Sequence, residues 1–202
     1  MNRSSLISSI RAKIDEVSTG SEILVDVSFG EGKNIDILIE NILDESALEV
    51  LSIAPVHKLS LSVISTDGTG IDSNSGEIKL NSDYLRFVSL KMGDFTRAIT
   101  QLVPEGSPIE KRQNNPYYRG TVDRPIGVLV VKNDGNYVRY YGVNNNHSSA
   151  KLMYIKKDVA ENVPASCQQA LCWLCASKIL AIMGDVNGAK AAESFFTQNI
   201  SI

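Results

Sequence analysis

Two apolar helices joined by a short turn dominate the C-terminal end of this chain, from Pro164 to Ile202. Pro164 opens the first helix, apolar side chains then recur at helical spacing, and Gly184-Asp185 ends the run. A second helical stretch starts near Val186. Small residues are frequent on both helices, and short side chains let helix axes approach closely. The sequence therefore predicts an antiparallel helical hairpin that packs on itself and against another surface, without an ordered set of reactive groups.

The composition is that of an ordinary folded protein. The 202 residues, of which 43% are hydrophobic and 21% charged, are enough to bury a core as a single domain. The net charge of −3 is unlike that of a dedicated nucleic-acid binder, which carries a basic excess. No segment resembles a secretory signal, and the apolar runs are too short to span a bilayer. We therefore expect a soluble intracellular product with no membrane association.

The N-terminal region, residues 1–58, is predicted to be helical. Apolar residues line one face of residues 4–17, and Gly20 lies just beyond them. Residues 33–54 have a similar apolar face and end at Pro55. The β-branched residues within this second stretch, around 35–39, leave a strand as the alternative there.

The middle of the chain is predicted to be rich in strands. Residues 59–92 contain alternating apolar and polar runs at 59–64 and 77–80. Asn81-Ser82-Asp83 then resembles a helix cap, which predicts a short helix over 84–92. Together with the terminal helices, these strands place the chain in the α+β class, as one domain over residues 1–202.

Two further regions separate this part from the C-terminal hairpin of residues 164–202. Prolines and glycines interrupt residues 93–125, so we expect a long extended arm there. Residues 126–157 are predicted to form a β meander, because strand-like runs flank the hairpin signal Asn133-Asp134-Gly135-Asn136 and a third run follows at 151–156.

The sequence contains none of the common catalytic or cofactor motifs, such as a phosphate-binding glycine loop or a nucleophile elbow. We therefore expect no catalytic residue, no cofactor and no metal site. Cys167, Cys172 and Cys175 lie on the first helix of the hairpin, and their apolar neighbours indicate small buried side chains. The enzymatic alternative is a Cys172 nucleophile assisted by His147, which requires an exposed thiol in an electropositive setting.

Basic and aromatic residues are interleaved in the arm. They are Lys111, Arg112, Tyr117, Tyr118, Arg119 and Arg124. Such residues bind nucleic acid by charge and stacking, and they are also enriched at protein–protein interfaces. Acidic residues in the same arm reduce its charge to about +1, which favours the protein–protein interpretation.

Several short segments resemble a known family. The run Asn81-Ser82-Asp83-Tyr84-Leu85-Arg86, preceded by a strand, is similar to a segment of small neck proteins of short-tailed phages. Gly106-Ser107-Pro108, Tyr118-Arg119-Gly120, Arg124-Pro125 and the Ala-rich helices after Val163-Pro164 agree with it. Over about residues 77–202 the chain resembles the ring, or head–tail adaptor, proteins of crAss-like phages and, more distantly, the T7-type tail tubular adaptor.

This resemblance implies a structural virion protein, made in the host cytoplasm and located in the neck between head and tail. Such adaptors form a closed ring, usually of twelve copies, that connects the portal to the tail or to other neck rings. DNA passes through the channel of the ring without specific binding. The fold implied is a helical bundle carrying a β-rich insertion, and copies meet head to tail because only heterologous contacts close a ring.

Two surfaces are candidates for contacts in such a ring. In the arm, around 109–124, Arg119 and Arg124 would make charge-assisted contacts, with Tyr117 and Tyr118 as packing anchors. At the chain end, docking on the portal or the next ring is predicted for apolar side chains. They are Phe195, Phe196, Ile200 and Ile202. The alternatives are a nucleic-acid-associated accessory protein that uses the Arg/Tyr arm and, less favoured, a cysteine-based enzyme.

Overall fold

The computed structural model describes residues 1–18, 33–144, 147 and 150–201 of the chain. The described part contains five helices and two sheets, so the predicted α+β class is confirmed. The helices are α1 (Arg3–Val17), α2 (Lys33–Ile53), α3 (Pro108–Lys111), α4 (Ala165–Ile182) and α5 (Val186–Ser201). The strands are β1 (Ser62–Thr66), β2 (Thr69–Gly70), β3 (Ser75–Lys79), β4 (Tyr84–Lys91), β5 (Leu102–Pro104), β6 (Ile126–Lys132), β7 (Gly135–Tyr141) and β8 (Ala150–Lys156).

The chain divides into two compact units, where the sequence predicted one domain. The helical unit consists of Met1–Ser60 and Lys157–Ile202, and the strand unit is Leu61–Lys156. The strand unit therefore interrupts the helical unit in the sequence, between α2 and α4.

The predicted N-terminal helices are confirmed almost to the residue. The Asn2 side chain caps α1 by accepting a hydrogen bond from the Ser5 amide at 2.8 Å, and the apolar face of this helix is buried. Helix α2 extends to Ile53, two residues before Pro55, so the strand alternative is wrong for this region. Gly20, predicted to follow the first helix, lies outside the described residues.

The predicted C-terminal helix pair is also confirmed. Helix α4 has buried residues on every side, and its last turn ends at Gly184, whose φ of +87° is typical of a glycine after a helix. By length and composition α4 could cross a membrane, in contrast to the expectation from its apolar runs. Because 56% of it is buried within the protein, we interpret α4 as the core helix of the helical unit.

The strand unit is built from two sheets that share one core. One has the order β1-β8-β4, and the other has the order β2-β3-β7-β6-β5, with β5 parallel to β6. Apolar residues from both sheets form the core between them. These include Ile78, Leu90, Met92, Val138, Tyr140, Leu152 and Tyr154.

The short helix predicted over 84–92 is wrong, because this segment is strand β4, paired with β8. The residues that resemble a helix cap have another role. The Asn81 side chain donates to the Tyr154 hydroxyl at 3.0 Å, and that hydroxyl donates to Asp83 at 2.9 Å. Pairing with the distant strand β8 therefore makes this segment a strand. The local pattern that resembles a helix cap contains no information about that pairing.

The predicted meander over 126–157 is correct for its hairpin and wrong for its third strand. Strands β6 and β7 form the hairpin at Asn133-Asp134-Gly135-Asn136, with Lys132 opposite Gly135. Strand β8 instead joins the other sheet, between β1 and β4. Gly142 follows β7 with a φ of +113°, close to the Thr121 backbone, so the chain leaves the sheet there.

The segment 93–125 is folded rather than extended throughout. Phe95 and Ile99 are buried in the strand core, and Ile99 forms an isolated bridge with Leu90. The segment then adds the short strand β5 and helix α3. Apolar side chains at its start hold it against the sheets, which composition alone did not reveal.

Candidate subunit interface

The predicted interface lies on a loop, residues 105–120, and a chain of ion pairs fixes the base of this loop. Arg139 on β7 donates from Nη2 to Glu77 on β3 at 2.8 Å and from Nη1 to Glu110 on α3 at 3.2 Å. Lys132 on β6 also pairs with Glu77. We call Glu77, Lys132, Arg139 and Glu110 the anchor. Its two carboxylate side chains are only 10% and 13% exposed, so this is a well-shielded network.

The surroundings of Glu77 and Arg139 favour the charged forms of these two side chains. Burial opposes ionisation of Glu77, but hydrogen bonds from Lys132 and Arg139 outweigh it and hold the pKa of this carboxyl below its usual value. Burial likewise opposes the charge on Arg139, yet hydrogen bonding to Glu77 raises its pKa. Both shifts favour the charged forms of Glu77 and Arg139 at neutral pH. The anchor connects four elements of the strand unit, β3, α3, β6 and β7.

The start of the loop is held by α3. The Ser107 hydroxyl accepts a hydrogen bond from the Glu110 amide at 3.2 Å, and the Glu110 side chain accepts one from the Gly106 amide at 2.5 Å. Pro108 occupies the first turn of the helix. These two hydrogen bonds resemble a capping box, and they place the Glu110 side chain where it pairs with Arg139.

Gln113 closes the loop. It is 6% exposed, donates from Nε2 to the Ile109 carbonyl at 2.7 Å and accepts from the Gly120 amide at 2.8 Å. A Cβ at Gly120 would come within 3.0 Å of the Tyr141 carbonyl, so a glycine allows the returning chain to lie against β7. One buried amide thus joins the two ends of the loop.

The tip of the loop, residues 111–119, presents its side chains outward, except for the buried Gln113. Asn115 organises it by accepting the Tyr117 amide on its side chain and the Tyr118 amide on its carbonyl, each at 3.0 Å. Tyr117 is 92% exposed and Tyr118 is 68% exposed. Two large aromatic side chains therefore lie in solvent on a backbone that is fixed by local hydrogen bonds.

The structure brings together only part of the predicted arm site. Lys111, Arg112 and Tyr118 line one open cleft of about 500 Å³ together with Asn115. Arg119 lies near Asp72, whose pKa is lowered mainly by backbone and Ser75 hydrogen bonds that outweigh its burial. Arg124 is exposed in a separate turn, where it forms an isolated bridge with Thr121.

Charge is distributed unequally between the two units. The strand unit contains nine acidic and twelve basic residues, for a net charge of +3. The helical unit contains fourteen acidic and eight basic residues, for a net charge of −6. The overall net charge of −3 does not show this difference. The strand unit of one copy and the helical unit of another are therefore electrostatically complementary.

The predicted docking residues at the chain end are held within the helical unit. Phe196 is buried, and Phe195 stacks on Trp173 with ring centroids 4.5 Å apart. Lys58 donates to the carbonyl of Ile200 at 3.2 Å, which satisfies the end of α5. Ile202 lies outside the described residues. Phe196 is therefore a core residue in this structure, and Phe195 offers only the part of its ring that Trp173 does not cover.

The three cysteines are buried and free, as small core side chains would be. Burial raises the pKa of Cys172 to about 11 and that of Cys175 to about 12. Both are therefore neutral thiols near pH 7, which is the opposite of what a cysteine nucleophile requires. Across the described residues, no three His, Cys, Asp or Glu side chains lie close enough to form a metal site.

The sequence predicted neither the anchor nor the role of Gln113. Ser107-Pro108 with Glu110 three residues after Ser107 is a recognisable helix-start signal and could have been found. The pairing of Glu77 with Arg139 joins residues 62 positions apart, and nothing in the local sequence indicates it.

No protein-family model matches this chain, and no curated protein matches it either. The function proposed for the chain rests on its residues and on their geometry.

Proposed function

We propose that this chain is a structural subunit of a phage neck, a head–tail connector that forms a closed ring between portal and tail. The observation that carries the proposal is a rigidly anchored loop with an exposed basic and aromatic tip. Arg, Tyr and Trp are the residue types that most often dominate the energy of protein–protein interfaces, particularly where they are pre-positioned. Tyr117 and Tyr118 are the packing anchors, and Lys111, Arg112, Arg119 and Arg124 supply the charge.

The charge difference between the units supports a head-to-tail arrangement. A ring closes only through heterologous contacts, in which one surface of a copy meets a different surface of the next. A strand unit of net charge +3 and a helical unit of net charge −6 provide two such surfaces. In this proposal the helical unit is the bundle and the strand unit is its insertion. The loop 105–120 makes the subunit contacts that the sequence assigned to an extended arm over 93–125.

The test is the mass of the full-length protein in solution, measured by light scattering, alone and with the portal protein encoded in the same genome. A ring, alone or only with the portal, supports the connector. A monomer that is indifferent to the portal at low and high salt contradicts it. The size of the ring also gives the copy number, expected to be twelve.

A second function remains a candidate because Lys111, Arg112 and Tyr118 share one cleft. A cationic cleft with an aromatic wall suits a single-stranded nucleic acid, which stacks a base and neutralises phosphates. Fluorescence anisotropy with a labelled oligonucleotide distinguishes the two functions. Binding that weakens steeply with salt supports the accessory protein, and no binding at low salt rules it out.

A further inference from the structure

The negative charge of the helical unit is concentrated on helix α2. This helix contains five acidic residues and one basic residue, Lys33 at its first position, for a net charge of −4. The other helices of the unit differ, since α1 and α4 carry a net charge of +1 each and α5 carries none. Among these helices, α2 therefore attracts a cationic partner most strongly.

Two carboxylates of α2 are available to such a partner. Three of the five acidic side chains already form ion pairs with basic residues of other helices. These pairs are Asp36–Arg11, Asp44–Arg3 and Glu49–Lys178. Glu40 and Glu45 are exposed, and neither forms an ion pair with any described residue. An incoming basic side chain can therefore pair with them without displacing an existing partner.

A stripe of residues lies between these two carboxylates on the outer side of α2. Its members follow one another at intervals of four, three and four positions, so they are neighbours along the helix. They are Ile37, Asn41, Asp44 and Leu48. Ile37 is 53% exposed and Leu48 is half-buried. We call Ile37, Glu40, Asn41, Glu45 and Leu48 the α2 face, which combines aliphatic surface with two unpaired charges.

The tip of the loop has the complementary chemistry. Lys111 and Arg112 are exposed and form no ion pair within the part of the chain that the structure describes, and they share a cleft with Tyr118. Their cationic groups make charge-assisted hydrogen bonds with carboxylates. The exposed rings of Tyr117 and Tyr118 can cover aliphatic side chains while their hydroxyls remain in water. Because local hydrogen bonds already fix the backbone of the tip, docking orders little additional chain.

We propose that the tip of one copy docks on the α2 face of the next copy, with Lys111 and Arg112 beside its two unpaired glutamates and the tyrosines over Ile37. The ion pairs set the orientation and the choice of partner, and the aromatic rings supply the packing energy. The contact joins unlike surfaces of two copies, so it is heterologous and can repeat around a ring. This inference rests on the proposed ring, and it names the surface that the tip contacts.

The experiment is reciprocal charge reversal in the full-length protein, with assembly measured by light scattering under the conditions in which the wild type forms rings. The tip variant is Lys111→Glu with Arg112→Glu, and the face variant is Glu40→Lys with Glu45→Lys. Each brings like charges together, so each should raise the protein concentration needed for assembly by about 10²-fold or more. An equal mixture of the two variants should assemble again into rings with an even number of copies, because alternating copies restore opposite charges at every contact.

The matched control is Asp15→Lys with Glu193→Lys, which makes the same change in net charge at exposed residues of α1 and α5. This control should assemble like the wild type, and it should not restore assembly of the tip variant. Circular dichroism verifies that each variant is folded. If the face variant does not fold, Glu40→Gln with Glu45→Gln should still raise the concentration needed for assembly by about tenfold, because two ion pairs are lost.

The outcomes separate this inference from the proposed connector. Wild-type rings that tolerate both reversals overturn the docking and leave the connector intact. Two defective variants that do not restore each other in a mixture also overturn it, because the two surfaces then do not contact each other between copies. Recovery only in a chain that carries all four substitutions shows a contact within one copy and overturns it as well. A wild type that stays monomeric with and without the portal removes both proposals.

Discussion

Arg139 donates two hydrogen bonds, from Nε and Nη2, to the same carboxylate oxygen of Glu77, at 3.0 and 2.8 Å. The remaining arm of its guanidinium reaches Glu110 at 3.2 Å. A single side chain of the sheet thus fixes the loop whose tip is the candidate interface. Arginine suits this role because its planar group offers several donors in fixed directions.

Glu77→Gln should destabilise the strand unit by about 1–3 kcal/mol, because Lys132 and Arg139 lose a charged partner in a shielded site. Urea unfolding followed by far-ultraviolet circular dichroism measures this loss. The matched control is Asp134→Asn, which removes the exposed pair with Lys79 on the same sheet and should leave the midpoint unchanged. Equal effects of the two substitutions would contradict the structural role of the anchor.

The contribution of Glu77 should also depend on pH in a defined direction. Its pKa is lowered in the folded protein from the usual 4.5, so the ionised form stabilises the fold. This stabilisation is complete above pH 4.5 and is lost as the pH falls through the folded-state pKa. The difference in unfolding free energy between wild type and Glu77→Gln should therefore shrink below pH 4.5. A difference that stays constant down to pH 3 would show that ionisation of Glu77 is not its cause.

Replacing Tyr117 and Tyr118 together by serine should abolish assembly without unfolding the subunit. Both side chains are exposed, so the melting temperature should not change. Removing a side chain that dominates an interface, in contrast, weakens the free energy of association by about 2 kcal/mol or more for each residue. Ile71→Ser, at a residue 54% exposed elsewhere in the strand unit, is the control and should assemble normally. Light scattering reads out assembly. Normal rings from the double variant would remove the tip from the interface.

The thiols should be unreactive in the native protein. With the pKa of Cys172 at about 11, a disulfide reagent at pH 8 should react on the order of 10²-fold more slowly than with free cysteine. All three thiols should react at the normal rate in denaturant. Rapid modification of a single cysteine in the folded chain would revive the cysteine-based enzyme as a candidate.

Gly68→Ala should destabilise the strand unit by about 1–3 kcal/mol through overpacking. An added Cβ at Gly68 would strike the Tyr140 hydroxyl and lie 2.8 Å from its Cζ. The Tyr140 ring is fully buried, and its hydroxyl bonds to His147 at 2.9 Å, so it has little room to move. In a Tyr140→Leu background the same substitution should cost less. Additive effects in this double-mutant cycle would show that the contact is not responsible.

Local signals predicted those parts of the fold that depend on neighbours in sequence. The ends of α2 and α4 follow from Pro55 and Gly184, and the β6–β7 hairpin follows from its Asn-Asp-Gly turn. Strand β4 was mistaken for a helix because Asn81 and Asp83, which bind Tyr154 from a distant strand, imitate a cap.

The sequence predicted the exposed residues at the tip of the candidate site, but not the anchor residues that support the loop. Basic and aromatic residues such as Arg112 and Tyr118 are visible in the sequence because interfaces favour those types. Glu77 and Arg139 look like ordinary charges on a strand, and only the antiparallel pairing of β3 with β7 places them opposite each other. The sequence predicts that Phe196 docks on the portal or the next ring because it is one of several apolar residues at the chain end, whereas helix α5 carries its side chain into the core.

The pairing of β1 with β8 has a consequence for how the gene could be divided. Ser62, near the start of the strand unit, lies directly opposite Tyr154, near its end. Adjacent strands are about 5 Å apart, so the chain enters and leaves residues 61–156 at neighbouring points. Ser60 and Lys157 flank this stretch in sequence. A linker of a few glycines could therefore join them, and the helical part could be produced alone, beside a free-standing β module.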